Sequence, residues 1–454
     1  MLLLFFTISL LSGISTLFFR SKAVVRMVTL TYSLAVILFT GYAWFNLNNT
    51  DLSYFTYDSS GVLLLTLLAV LTLPTIYHGF IYTKHENEKR YSIYHAGIIA
   101  LMTFMTGAYL ANTMTVLWIF VEATTLAVAV LIYHDRTEMS LEATWKYIFI
   151  CSTGIALAYL GILFLGFIYG RGDAPNLSFS SFSLVISNAN PLYLKISFIF
   201  VLVGFSTKMG LFPMHTVTID AHSVAPPPVS ALISTTLMNV GFLAIFRVYR
   251  LFSPTPVLPF MNHVLILAGL LSLLVSAGYM LKAKHLKRML AYSSLENMGL
   301  VAIALGVGGA GHYAALLLIV LHSLAKSSLF YQMGQLSVVL RTFRLDDCGR
   351  YMLLYPAGAM VLLTGMVCIL AIPPSGLFIS ELMIFKGMIY NGQWFVLIAS
   401  VILLAFVIYA MSIRIMHITF SAPRSAGEIR QPGTVNPIET VSQFILLSIV
   451  ILLC

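Results

Sequence analysis

Polar positions are scarce along this chain, and they gather in short stretches between long apolar runs. Fourteen apolar segments stand out, at 2–19, 25–46, 60–83, 93–112, 114–133, 145–169, 193–215, 227–249, 262–281, 289–308, 311–338, 354–385, 393–419 and 438–454. Runs of about 20 apolar residues read as membrane-crossing helices, because a bilayer has no water to pair an open backbone. Several runs are only a few residues apart, which makes their helices antiparallel neighbours. Two are too long and too broken to be simple spans. One passes from Lys208-Met209-Gly210-Leu211-Phe212-Pro213 to Pro226-Pro227-Pro228, and the other holds Ile372-Pro373-Pro374-Ser375-Gly376-Leu377. Proline removes a backbone donor and disrupts a helix. Non-helical backbone at membrane depth survives only where protein or a water-filled cavity covers it. Broken helices at matching places in two halves point to a transporter with internal repeats. The breaks fall in segments seven and twelve, five apart, so the pattern predicts two five-helix units, about 93–249 and 262–419. Three helices (about 1–83) precede them and one (about 438–454) follows. Residue identity does not reveal the repeat. The expected fold is all-α and polytopic, a single membrane domain over 1–454.

Composition supports the bilayer as solvent: 59% of the 454 residues are hydrophobic and 9% are charged, against about 25% charged in soluble domains. The net charge of +9 could suggest nucleic acid in a soluble protein. Here topology explains it, and no nucleic-acid partner is expected. Of the 25 basic residues, 17 fall in alternate loops: Arg20 to Arg26, Lys84 to Arg90, Arg136, Lys282 to Arg288, Arg341 to Arg350, and Arg414 to Arg430. Four others, Arg171, Lys195, Arg247 and Arg250, fall on the opposite side. The positive-inside rule makes the first set cytoplasmic, with both termini on the non-cytoplasmic side of a cell inner membrane. The first run lacks a basic leader and a cleavage site and reads as a retained helix. Cys151, Cys348, Cys368 and Cys454 are scattered with no CxxC, so neither an iron–sulfur cluster nor a zinc site is supported. No metal and no cofactor are expected.

The remaining four basic residues, Lys146, Lys208, Lys326 and Lys386, and a few acidic ones fall within or at the edge of apolar runs, where an ionisable group costs several kcal/mol unless paired or hydrated. Glu122 is central in segment five. Lys208 sits near the break of segment seven, and Glu381 and Lys386 follow the break of segment twelve. His322 and Lys326 are four apart and share a face of segment eleven. Lys146 lies near the start of segment six. Burial and a nearby opposite charge push the protonation of such groups in opposite directions, so a buried Lys–Glu pair can switch state when a neighbouring charge moves. Histidine, with an unperturbed pKa of about 6.5, bridges such sites. Plainer roles compete. Glu122 and Lys208 could be structural ion-pair partners. Lys146 and Lys386 could reach the interface along their apolar stems. His215, Asp220 and His222 could cap a turn. His322 by itself could be a satisfied core histidine.

Four ordered stretches resemble the antiporter-like subunits of respiratory complex I. The first is Lys208-Met209-Gly210-Leu211-Phe212-Pro213-Met214-His215 with Asp220-Ala221-His222-Ser223. The others are Leu286-Lys287-Arg288-Met289-Leu290-Ala291-Tyr292-Ser293-Ser294, His322-Ser323-Leu324-Ala325-Lys326-Ser327-Ser328, and Pro373-Pro374-Ser375-Gly376-Leu377-Phe378-Ile379-Ser380-Glu381. Val121-Glu122-Ala123-Thr124-Thr125 and Ser140-Leu141-Glu142-Ala143-Thr144-Trp145-Lys146-Tyr147 most resemble the hydrogenase-4 component F type, found in group 4 membrane-bound hydrogenase and formate hydrogenlyase complexes. The resemblance implies about fourteen transmembrane helices, two inverted five-helix repeats and broken helices 7 and 12. It also implies a hydrophilic axis through the membrane. It matches Glu122, Lys208, His322, Lys326 and Glu381 to a proton relay in which the glutamate of segment five pairs with a lysine. Lys146, His215, Asp220, His222, Asn239 and Lys386 are possible supporting residues. Asn239 occupies the place of a second lysine, and an amide cannot carry the charge. Asn297 stands where histidine is common. The implied role is an ion-pumping subunit with no catalytic centre of its own. Its partners would be other antiporter-like membrane subunits and a peripheral redox arm. The alternative is a Na⁺ or K⁺/H⁺ antiporter subunit of a Mrp-like assembly. A haem or quinone anchor and a relay-less scaffold are further alternatives, separable by an absorbance spectrum and a transport assay.

Overall fold

A computed structural model of the protein describes residues 1–19, 21–166, 177–423 and 433–453. Arg20, Arg171, Arg424 and Arg430, four of the residues behind the charge bias, lie outside the described residues, as do Cys454 and positions 167–169 of the sixth apolar segment. Among the described residues, helices make up most of each apolar run. In order the helices are α1 (Leu2–Phe18), α2 (Lys22–Phe45), α3 (Ser59–Tyr82), α4 (Glu88–Leu110), α5 (Met114–Ile132), α6 (Glu138–Gly166), α7 (Phe179–Val185), α8 (Pro191–Met209), α9 (His215–Val224), α10 (Pro227–Leu232), α11 (Met238–Phe252), α12 (Leu258–Met280), α13 (Leu286–Val307), α14 (Ala310–Leu340), α15 (Tyr351–Leu354), α16 (Pro356–Ile369), α17 (Gly376–Tyr390), α18 (Trp394–Phe420) and α19 (Val441–Leu452). A two-strand hairpin, β1 (Thr50–Asp51) with β2 (Phe55–Thr56), lies between α2 and α3. Among the described residues, eleven helices are long and apolar enough to cross a membrane. The backbone between α8 and α9 and between α16 and α17 is not helical. Each gap holds a proline that cannot donate to a helix, Pro213 in the first and Pro373 and Pro374 in the second.

The described chain forms two compact units. The first comprises Met1–Met209, Val224–Val229 and Thr236–Met261; the second comprises Gly210–Ser223, Ser230–Thr235 and the chain from Asn262 onward. In the first unit α6 and α8 cross closely because small residues line the contact. A Cβ on Gly204 would stand 2.5 Å from the Gly154 carbonyl oxygen and 2.6 Å from the Ala158 Cβ. Small residues of this kind let membrane helices approach backbone to backbone. Ser197 Oγ adds a hydrogen bond to the Gly161 carbonyl at 2.8 Å. The end of α4 is held by Arg247 of α11, which lies among the residues that the charge pattern puts opposite the basic loops. Its guanidinium donates to the carbonyls of Ala108 (3.3 Å), Ala111 (2.9 Å) and Tyr109 (2.5 Å) and to Asp58 Oδ1 (2.5 Å). These carbonyls have no partner in the helix itself, and a cation satisfies them while opposing the helix dipole.

In the second unit α14 packs against α13, α16, α17 and α19. The window that qualifies α13 as a span is entirely buried, so its polar side chains face protein. The basic loops of this unit meet at one end. His285 and Arg344 form an antiparallel bridge, Leu286 N donates to Phe343 O at 2.9 Å, and Arg350 N donates to Ser421 O at 2.8 Å. Arg414 Nη2 donates to the Leu281 carbonyl at 2.6 Å. Apolar side chains such as Leu267 and Leu274 on α12 and Ile402 and Phe406 on α18 are exposed, as expected of faces that meet lipid or another membrane protein.

Candidate functional site

Each unit buries a lysine. In the first unit Lys208 lies in the last turn of α8 and is almost fully buried. Its Nζ donates to the Tyr147 hydroxyl at 3.1 Å and lies 5.0 Å from the centre of that ring. Glu122 on α5 is half-buried. Its Oε1 accepts from Ser152 Oγ at 2.7 Å and its Oε2 from Thr125 Oγ1 at 3.4 Å. Among the described residues no ion pair within 4.0 Å joins Glu122 to Lys208. Two α6 residues, Tyr147 and Ser152, hold one charged group each. Sequence reading named the charges and missed both hydroxyl partners, although Tyr147 ends the stretch that carried the resemblance. Cys151, buried on the same helix, lies with Glu122 within electrostatic reach of Lys208.

Asn239 is fully buried on α11, just after a π-helical stretch at Ile233–Leu237. Such stretches free backbone carbonyls. Here the Tyr109 hydroxyl donates to the Thr236 carbonyl at 2.5 Å. The backbone of α11 comes close to Lys208: a Cβ on Gly241 would stand 2.9 Å from the Lys208 carbonyl carbon. Lys146 is exposed and paired with Glu142 at 2.5 Å, one turn away on α6.

In the second unit Lys326 is fully buried on α14. Its Nζ donates to the Leu290 carbonyl at 2.7 Å and to Ser293 Oγ at 2.5 Å, both on α13. One turn further along α13 is Glu296, 2% exposed, which sequence reading missed. Glu296 Oε2 accepts from Asn297 Nδ2 at 2.9 Å. Glu296 is within electrostatic reach of both Lys326 and Glu381. The signal was present, a glutamate inside segment ten, but it sits among serines and an asparagine that lower the apolar contrast. Glu381 on α17 is half-buried, and its neighbour Ser380 is fully buried.

His322 is fully buried one turn before Lys326. His222 is fully buried as well, stacked on Phe330 with ring centres 5.6 Å apart, and lies within electrostatic reach of Lys326. It belongs to helix α9 and not to a surface turn. Asp220, on the same helix, pairs with Arg288 at 2.7 Å. His215 begins α9 with its ring 5.9 Å from the Phe212 ring. Lys386 is exposed, its Nζ 5.8 Å from the Tyr390 ring centre. Both ring nitrogens of His322, Asn297 Oδ1 and Ser380 Oγ are buried with no protein hydrogen-bond partner. Buried polar atoms are rarely left so, and ordered water is their usual partner. This arrangement can hold water beside a lysine and two glutamates. Among the described residues no group of three or more His, Cys, Asp and Glu side chains is arranged to bind a metal.

Comparison with known proteins bears on this arrangement. The family described as NADH:quinone oxidoreductase/Mrp antiporter, TM, matches residues 111–407. The chain belongs to this family. It is 32% identical over 383 residues to a Hydrogenase-4 component F homolog from Methylacidiphilum infernorum, covering 82% of this chain and 80% of that protein. Hydrogenase-4 component B of Escherichia coli is 27% identical over 345 residues, 71% of this chain and 49% of that one. Among solved structures, a chain of the membrane-bound sulfane sulfur reductase, an archaeal respiratory membrane complex, superposes with a TM-score of 0.87 at 20% identity, covering 99% of this chain and 93% of that one. A chain of respiratory complex I from Thermus thermophilus gives 0.80 at 20% identity over 100% and 96%. These likenesses show the fold. The family's chains are antiporter-like membrane subunits, and the protein is a multi-pass membrane protein of that kind.

Proposed function

We propose that this protein moves protons across a membrane as a subunit of a redox-driven complex, using one buried lysine in each unit as a proton carrier. The observation that carries the reading is that Lys208 and Lys326 are both buried, yet each is held by a hydroxyl and no carboxylate lies within 4.0 Å among the described residues. A structural ion pair would place the carboxylate in contact. A carrier needs a partner close enough to sense and loose enough to release. A charge change in partner subunits acts on Glu122, which alters the load on Lys208. The proton then passes to Lys326 and, by way of Glu296, His322 and bound water, to Glu381. Asn239 and His222 order water, and no covalent chemistry is involved.

The rest of the architecture follows the same reading. It has about fourteen spans in a single membrane domain, with inverted repeats near 93–249 and 262–419 and helices seven and twelve discontinuous. The basic loops face the cytoplasm, and both termini lie across a cell inner membrane. Its partners are other antiporter-like subunits and a peripheral redox arm of the hydrogenase or complex I kind. The test is proton uptake by vesicles carrying the whole complex. Lys208→Ala and Lys326→Ala should abolish uptake while the partners' redox turnover partly persists. Full uptake in either variant overturns the assignment. Transport that requires sodium at fixed pH would favour a Na⁺/H⁺ exchange of the Mrp kind.

A further inference from the structure

Away from these charges, the end of the second unit that carries its basic loops holds an open cavity of about 420 Å³. Its wall brings together Lys282 and Lys284 from the α12–α13 connection, Asp346 from the loop after α14, and Arg414 and His417 from α18. The backbone fixes this grouping. Lys282 N donates to the Tyr279 carbonyl at 3.1 Å and Ala283 N to the Met280 carbonyl at 3.3 Å, which closes α12 in a turn. Arg414 donates to the Met280 and Leu281 carbonyls, groups that the end of a helix leaves without an internal partner. Leu345 N donates to the Lys284 carbonyl at 3.0 Å, which draws the Asp346 loop against Lys284.

The cavity is short of negative charge. Lys282, Lys284 and Asp346 are exposed, and among the described residues no ion pair within 4.0 Å reaches any of them. Three fixed cations face one carboxylate, so two positive charges are left over with the histidine neutral. Like charges grouped in a cleft repel one another and concentrate counter-ions there. The rim is apolar. Leu281 and Ile413 also line the cavity and are 41% and 46% exposed. Tyr279 and Tyr409, about one turn further into the same two helices, are exposed as well. Tyrosine at the end of a membrane span sits at headgroup level. Both α12 and α18 are long and apolar enough to cross a membrane. The cavity therefore lies at the depth of lipid headgroups, and the exposed apolar faces of α12 and α18 run from it toward the bilayer centre.

We infer that this cavity binds the phosphates of an anionic phospholipid whose acyl chains lie along the exposed faces of α12 and α18. Basic pockets between membrane helices recognise such heads. The two surplus positive charges match a head with two phosphodiesters, as in diphosphatidylglycerol, better than a head with one. Lys282 and Lys284 supply compact ammonium donors to the phosphate oxygens. Arg414 adds its charge and, through the Met280 and Leu281 carbonyls, holds α18 against the end of α12. A free phosphate would use the cations but leave the apolar rim without an occupant. The site is independent of the proton relay.

Photo-crosslinking tests this without any activity. The assembled complex is placed in phosphatidylcholine nanodiscs that carry a small, equal fraction of either diazirine-bearing diphosphatidylglycerol or diazirine-bearing phosphatidylcholine. After illumination the labelled peptides are mapped by mass spectrometry. Peptides over 279–284 and 409–417 should take up roughly fivefold more label or better from diphosphatidylglycerol, the gain expected of even one lysine near an anionic head. Lys282→Gln with Lys284→Gln should remove that preference, whereas Lys282→Arg with Lys284→Arg should keep it. Equal labelling by the two lipids in the native complex overturns the proposal with no variant needed, and so does a preference that the double glutamine variant leaves unchanged. Inorganic phosphate at millimolar concentration should not compete; loss of the label to it would mark a free-anion site and overturn the lipid assignment. Diazirine-bearing phosphatidylglycerol should label less than diphosphatidylglycerol, and equal labelling by these two would overturn the match to two phosphates.

Discussion

Replacing Lys326 with methionine separates a carrier from a structural ion-pair partner. Methionine keeps much of the volume of the stem and removes the charge. If Lys326 were one half of a structural ion pair, its loss would strand a buried carboxylate at a cost of roughly 3–5 kcal/mol. The geometry argues otherwise. The substitution removes two hydrogen bonds, to Leu290 O and Ser293 Oγ, each contributing roughly 1.5–3 kcal/mol when the donor is charged. The Leu290 carbonyl keeps its helical partner on α13 and the Ser294 hydroxyl at 3.2 Å, so it is not orphaned. Ser293 can turn its hydroxyl to a carbonyl one turn back. Against these losses stands relief from holding an ion away from bulk water, also several kcal/mol. The two nearly cancel, and the expected change in stability is within about 1 kcal/mol of zero, with either sign allowed by these magnitudes. Stability is read as the midpoint of heat-induced loss of the monodisperse complex, and transport as vesicle acidification. Proton uptake should vanish while the midpoint holds. A loss of more than about 3 kcal/mol that Glu296→Gln restores in the double variant would show a structural pair and refute the reasoning.

Five further outcomes follow from the contacts. Glu296→Gln should keep the Asn297 contact and the fold but reduce proton uptake by at least tenfold; uptake at the native rate would remove Glu296 from the path. Tyr147→Phe removes the hydroxyl 3.1 Å from Lys208 Nζ and should slow uptake, whereas Lys146→Ala, which breaks a solvent-screened exposed pair, should leave the thermal midpoint unchanged. Arg247→Leu leaves three carbonyls at the end of α4 and the Asp58 carboxylate without their donor. It should cost about 2 kcal/mol, below the range for a fully buried pair because a third of Asp58 meets solvent. Burial alone would raise the pKa of Asp58, but the Arg247 guanidinium, the Ser60 hydroxyl and the Gly61 amide outweigh it and hold the carboxyl below its usual value. That contribution is present above the unfolded carboxylate value, about 3.9, and is lost as pH falls through the lower folded value. The native complex should therefore lose more heat stability than Asp58→Asn between pH 5 and pH 2, and a parallel decline would contradict the pairing.

The all-helical membrane class was legible from the pattern alone, because a bilayer accepts few solutions for an apolar segment of about 20 residues. Most of the charged residues of the candidate site were legible too. Glu122, Lys208, His322, Lys326 and Glu381 contrast sharply with the apolar runs around them. What the pattern could not reach were neutral partners and a charge in a less apolar setting. Glu296 lies among Ser293, Ser294 and Asn297, where one more polar residue changes little. Tyr147 and Ser152 look like ordinary helix residues until α6 is packed between the groups they hold. His222 reads as part of a turn after Pro213, and burial against Phe330 is a matter of tertiary packing. Lys284 and Arg414 line one cavity yet lie more than a hundred residues apart, so nothing local marks them as neighbours. By itself the sequence determined which segments are helices and which residues are too costly to bury idly, since both follow from the local contrast of apolar and polar groups. Only the tertiary structure decided which hydroxyl or amide meets each charge, because those contacts depend on how close two helices come, and small residues such as Gly204 and Gly241 set that approach.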